Sequence, residues 1–275
     1  MPGTPADDKV LADIFTSVTS DDIYRKKPLL LSLLGGNSLL DTTPLMNLLE
    51  KVITPEVLAR VAAAYDDNRR LWVGTTNLDY NQTWAWNMTL IARENRPGAI
   101  ELYRKMLLAS ASMLVAFPPV EIEGHLLADG GVRSNVLVIG VAGVERPGTP
   151  LYGPGTVYVI HNEPRSKTPA AVENGVHGIT QRSFVAMMSA SVGSVLLRSY
   201  FGAKSHGYDF KLVDIADDIP VGDNPLAFDH DQMQAAFDAG NALGRQVDPW
   251  QKAPPNLGDY PEWGLKMMID EKGKR

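Results

Sequence analysis

A carboxylate stands at Asp129, within Ala128-Asp129-Gly130-Gly131, directly after the apolar approach Leu126-Leu127-Ala128. An aspartate that closes an apolar strand is placed where open α/β sheets gather their working groups, just beyond the strand ends. The neighbouring Gly130 and Gly131 let a substrate or a nucleophile come close to the backbone. Read alone, the same tripeptide describes a tight turn, in which glycines take positive φ and the aspartate bonds its own backbone.

Other residue types offer less. His125, His161, His177, His206 and His230 show neither His-x-x-x-His nor His-Glu-x-x-His spacing, so no metal site is expected, and His125 is expected at a surface or strand edge. Asp7-Asp8, Asp21-Asp22, Asp66-Asp67 and Asp217-Asp218 are adjacent pairs, whose side chains point apart on regular elements, so they read as turns and caps. The absence of cysteine excludes disulfides, thiolate catalysis and zinc–cysteine sites. Trp84 and Trp86 read as sheet packing, with a lipid-facing aromatic rim as the alternative.

The elements that must position Asp129 follow from periodicity. Leu11, Ile14, Phe15 and Val18 recur at helical spacing. Thr43-Pro44 and Thr54-Pro55 each read as an N-cap followed by proline at the first helical position. Leu71–Thr76 is apolar and β-rich enough for a central strand, and Trp84, Trp86 and Met88 alternate as its neighbour does. A helix begins after Pro97-Gly98, and Phe117-Pro118-Pro119-Val120 must end it. Val157–Ile160 predicts a strand, Ile179–Phe201 a long helix, Phe210–Asp214 a late edge strand, and Gln232–Leu243 a last helix. Interleaved strands and helices predict an α/β fold with a largely parallel sheet. No repeat or linker divides it, so a single domain over 1–275 is expected, with 253–275 as a tail.

Net charge is −6, from 26 basic and 32 acidic residues, which argues against a nucleic-acid partner, because phosphate binding needs a basic face. The first residues are polar, without the basic and apolar regions of a secretory signal. The longest apolar stretches, Pro28–Leu34 and Val136–Val144, fall short of the roughly 20 residues that span a bilayer. A cytoplasmic chain is the expectation for the sequence as given.

Several segments then combine into a pattern. Ser38–Leu49 (Ser-Leu-Leu-Asp-Thr-Thr-Pro-Leu-Met-Asn-Leu-Leu), Trp72–Asp79, Leu108–Val120 with its Phe-Pro-Pro-Val end, and Asp129-Gly130-Gly131-Val132 occur in that order. This series resembles the patatin-like phospholipases, lipid acyl hydrolases. The later segments Tyr158–Asn162, Phe228-Asp229 and Pro249–Lys252 are similar to the family's bacterial branch. The resemblance implies an α/β/α sandwich and a serine–aspartate dyad that needs no cofactor. It places the aspartate of that dyad at Asp129, with Gly130 and Gly131 completing the motif. It implies a phospholipid or other acyl ester as substrate, and a membrane surface as a possible place of work. A serine hydroxyl needs a base to take its proton, and a carboxylate serving so must be partly desolvated to raise its pKa.

The sequence departs from the family in one place above all: no Gly-x-Ser-x-Gly occurs in its 275 residues. Gly36-Asn37-Ser38-Leu39-Leu40 lacks the last glycine, and Gly35-Gly36-Asn37 reads as a turn rather than an oxyanion loop. Ser189-Ala190-Ser191-Val192-Gly193 lacks the first glycine and falls inside an apparent helix, whereas a nucleophile elbow follows a strand. A lesser departure is Leu114-Val115-Ala116, where the family has proline and glycine. The family's first strand and nucleophile elbow are therefore expected upstream of Met1, leaving this chain the aspartate half of the machinery and inactive alone. Two other readings stand beside it: a non-catalytic lipid-binding or interaction protein on the same scaffold, and an unstable gene fragment.

Overall fold

The computed structural model describes residues 4–28, 38–114, 116–134, 155–164, 172, 174–215, 219 and 226–254. The apolar runs within 29–34 and 136–144, Gly35-Gly36-Asn37, Asp217-Asp218 and the expected tail from 255 onward lie outside these residues.

Hydroxyl caps start the first helices. In α1 (Pro5–Ser17), Thr4 accepts from the Asp7 amide at 3.2 Å while the Asp7 carboxylate bonds back to the Thr4 hydroxyl at 2.6 Å. The second carboxylate oxygen of Asp7 meets Arg60 Nη2 at 2.9 Å, tying α1 to a later helix. Asp22 repeats the device with Thr19 ahead of the short α2 (Ser20–Ile23). Both confirm carboxylate pairs as caps.

After the short antiparallel pair β1 (Arg25–Lys26) and β2 (Leu40–Asp41), α3 runs Thr43–Val52. Its cap is Thr42 rather than Thr43, because the Asp41 carboxylate takes both the amide and the hydroxyl of Thr43 and draws that residue into the helix. α4 (Pro55–Ala63) is capped by Thr54, as the Thr-Pro spacing predicts.

The site rests on a four-stranded sheet of order β4-β3-β6-β5: β3 (Trp72–Asn77), β4 (Gln82–Asn87), β5 (Val120–Ile122) and β6 (His125–Asp129). Between β4 and β5 come α5 (Met88–Glu94) and α6 (Ala99–Ser110). Met88 is thus a helix residue, not a strand one. The Asn87 side chain accepts the Leu90 amide at 3.0 Å and caps α5, which stops the strand.

The α/β class holds, but the direction of these strands differs from a largely parallel sheet. All three pairings, β3–β4, β3–β6 and β5–β6, are antiparallel. Connection length accounts for two of them: parallel neighbours need a long crossover, whereas residues 78–81 join β3 to β4 and Glu123-Gly124 alone join β5 to β6. Both turn residues sit at positive φ (53° and 78°), the conformation that a two-residue hairpin requires. The one parallel pair among the described strands is β7 (Thr156–Pro164) with β8 (Asp209–Ile215), and α7 (Val176–Ser205) separates them in sequence. The last helix, α8, spans His230–Gly244.

The main core lies between the four-stranded sheet and α3–α6, and contains Leu58, Met88, Tyr103, Met106, Ile122 and Leu127. Burial pushes the Tyr103 hydroxyl up to about 12. A second cluster joins β7 and β8 to α7 through Val159, Val192, Leu196, Phe210 and Leu212. Among the described residues no helix is long and apolar enough to cross a membrane.

Candidate active site

The sheet delivers Asp129 to the end of β6. Thr75 on the central strand β3 lies opposite Asp129 on one side and opposite Trp84 on the other. Directly opposed residues of antiparallel strands share a face, so Trp84, Thr75 and Asp129 form one row across it. The backbone of Asp129 is held at both groups: its amide donates to the Ser112 carbonyl at 3.0 Å, and its carbonyl accepts from the Thr76 hydroxyl at 2.9 Å. Ser112 and Thr76 are themselves buried, which makes this anchor rigid.

The chain turns at once into a short 3₁₀ segment, Gly130–Val132, and Asp129 caps it. One carboxylate oxygen accepts the Gly131 amide at 2.6 Å. Burial raises the Asp129 pKa above its ordinary value, against the Gly131 hydrogen bond, which works to lower it. A carboxylate in that state is a better proton acceptor than an exposed one.

The expected turn is therefore present, but not for the expected reason in the glycines. Neither Gly130 nor Gly131 belongs to the positive-φ residues. Gly130 is required by contact instead: a Cβ there would sit 2.7 Å from the Gly74 carbonyl oxygen and 2.9 Å from its carbon. The same Gly74 oxygen accepts the Ser110 hydroxyl at 2.8 Å, so it cannot easily withdraw. Gly130 packs the start of the turn against β3, and so fixes where the Asp129 carboxylate points.

The serines considered as nucleophiles are not brought to this carboxylate by any hydrogen bond. The Ser38 hydroxyl is buried, donates to the Leu40 carbonyl at 2.9 Å and accepts from Lys27 Nζ at 2.9 Å. It clasps β1 to β2. Ser191 lies within α7, far from either end, where no strand-to-helix elbow exists.

The described histidines lie elsewhere. His125 is half-buried on β6 with Nδ1 3.6 Å from Asp79, and its ring packs against Tyr80 and Trp84. His206 and His230 each turn Nδ1 to a backbone carbonyl, of Gly202 and Thr16 respectively. Among the described residues no group of three or more His, Cys, Asp or Glu could hold a metal.

One pairing escaped the sequence. His161 and Asp214 are directly opposed on β7 and β8, with Nδ1 and Oδ1 3.1 Å apart, and both side chains are largely buried. Gln251 closes on the second Asp214 oxygen at 3.4 Å, its backbone bridging Leu212 through two hydrogen bonds of 2.8 Å. Residues 53 apart carry no local spacing, and only parallel register aligns them.

A family model described as patatin-like phospholipase matches residues 3–141, half of the chain and a span that includes Asp129, Gly130 and Gly131. No curated protein matches the chain.

Proposed function

Because the chain belongs to the patatin-like phospholipase family, we propose that Asp129 is the general base of a serine–aspartate dyad that hydrolyses acyl esters of lipids. The observation that carries this reading is the state of its carboxyl group: partly buried at a strand end, raised in pKa, and steadied by one backbone amide. In the reaction a serine hydroxyl attacks the ester carbonyl as its proton passes to Asp129. The alcohol departs, and water then releases the fatty acid from the acyl-serine. Backbone amides must hold the oxyanion formed on the way.

In this reading the serine belongs to a Gly-x-Ser-x-Gly segment, a motif that the sequence given does not contain. The 275-residue chain alone is expected to leave a p-nitrophenyl ester unhydrolysed and a fluorophosphonate probe unattached. Labelling of the chain by that probe would overturn this. The DNA before the Met1 codon tests the dyad directly, and an in-frame Gly-x-Ser-x-Gly segment there supports it. A folded chain with no such segment, and no esterase activity in any form, would favour a lipid-binding protein on the same scaffold.

A further inference from the structure

Where the β3–β6 ladder stops decides where Asp129 sits. Its last pair is Thr75 with Asp129, and the next in register would be Gly74 with Gly130. Pairing ends before it. The Gly74 carbonyl accepts the Ser110 hydroxyl at 2.8 Å, and the Asp129 amide donates to the Ser112 carbonyl at 3.0 Å. Three consecutive residues at the end of α6 thus close the sheet on two strands, with one bond to each.

Ser110 is set apart by its choice of partner. A serine on a helix ordinarily finds its acceptor one turn back. Ser17, Ser112 and Ser199 do so, on the carbonyls of Asp13, Leu108 and Val195. Ser110 reaches instead to a strand 36 positions earlier. The oxygen it finds there limits the turn after Asp129, since a Cβ on Gly130 would lie 2.7 Å from it. Nor is α6 free to slide and relieve the contact. Arg104 donates to the Ile53 carbonyl, just beyond the end of α3, through Nε at 3.1 Å and Nη2 at 2.7 Å. Tyr103, Met106 and Ala109 of the same helix are buried in the main core.

We propose that Ser110 is a positioning residue for Asp129: its hydroxyl holds the Gly74 carbonyl against Gly130 and so sets how deeply the turn that carries the carboxylate is seated. The inference rests on the reading of Asp129 as a base for its bearing on catalysis. The bond between the Asp129 carboxylate and the Gly131 amide spans two residues and travels with the turn. Burial does not travel, because it depends on where the turn meets β3. Loss of the Ser110 hydroxyl therefore loosens the seat and leaves the local bond in place.

Carbon-detected NMR of the full chain follows the Asp129 carboxyl through its titration, with Asp129→Asn to assign the signal. Burial is what raises this group, so Ser110→Ala should titrate at lower pH than wild type. Ser110→Thr, which keeps the hydroxyl, should titrate with wild type. An unmoved titration in Ser110→Ala, or the same shift in Ser110→Thr, overturns the proposal. Urea unfolding of a double-mutant cycle gives an independent reading. Gly130→Ala should lower the folding equilibrium constant of wild type by about five- to 150-fold. That factor should shrink by about twofold or more once Ser110→Ala releases the Gly74 carbonyl. Strict additivity of the two substitutions would mean that the hydroxyl does not hold the carbonyl, and overturns the proposal as well. Neither readout involves ester turnover. If Asp129 is not the base, hydrolysis by a serine-bearing form survives Asp129→Asn while both of these results stand.

Discussion

Asp129 ends the antiparallel sheet inside the residues that match the family, and Asp214 lies near the end of the parallel β7–β8 pair beyond them. The first carboxylate accepts one backbone amide and carries a raised pKa. The second holds an imidazole from the neighbouring strand and a carboxamide from the Gln251 bridge. The difference separates two uses of a buried charge. A carboxylate given a single backbone donor is steadied yet left with basicity to spend, whereas one engaged by two side chains from two segments binds those segments together. Backbone geometry repeats the contrast: Gly130 presses on Gly74 to aim Asp129, while strand register sets Asp214 opposite His161.

Asp129→Asn should give the largest effect. In a form that carries the serine, ester hydrolysis is expected to fall about a hundred- to ten-thousandfold with an unchanged thermal midpoint, because the amide keeps the shape but accepts no proton. Near-normal turnover would place Asp129 in the same structural class as Asp214. Gly130→Ala should cost about 1–3 kcal/mol, since its Cβ would overlap the Gly74 carbonyl and β3 is pinned there. Urea unfolding measures that, and an unchanged midpoint would show that the close approach constrains nothing. Asp214→Ala should cost a similar or smaller amount, about 1–3 kcal/mol, by stranding the His161 donor. Hydrolysis in the serine-bearing form should persist in that variant at temperatures below its own unfolding. Loss of turnover there, with the fold intact, would erase the distinction between the two carboxylates.

The smallest effect is on pH dependence. A folded-state pKa raised above the unfolded one means that the folded protein holds its proton more tightly. The stability associated with Asp129 is then fully present below the unfolded value and is lost as pH rises through the higher folded value. Wild type should lose this increment across that window and Asp129→Asn should not, which paired denaturation curves at several pH values would show. The acid limb of the hydrolysis profile should lie above the ordinary carboxylate range for the same reason.

Much of this was legible in the residues themselves. The cap at Thr54, the strand through Trp72–Thr76 and the strand leading to Asp129 follow from local rules, hydroxyl acceptors and β-branched runs, whereas the helix expected to run to Pro118-Pro119 already ends at Ser110. Such signals act within a few residues, so a sequence displays them directly. The ordered segments were likewise enough to identify the family that the chain matches.

The rest depended on partners distant in sequence. Strand direction turned on which neighbours pair, and the two residues Glu123-Gly124 outweighed the α/β alternation that suggested a parallel sheet. Gly130 was singled out as a turn glycine, yet only the approach of Gly74, 56 positions earlier, shows why no side chain fits. His161 and Asp214 looked unrelated until parallel register set them side by side. The sequence by itself determined the carboxylate, its strand and its family. Tertiary structure alone decided how far that carboxylate is desolvated and what holds it, because burial and hydrogen-bond partners belong to the packed chain and not to any one segment of it.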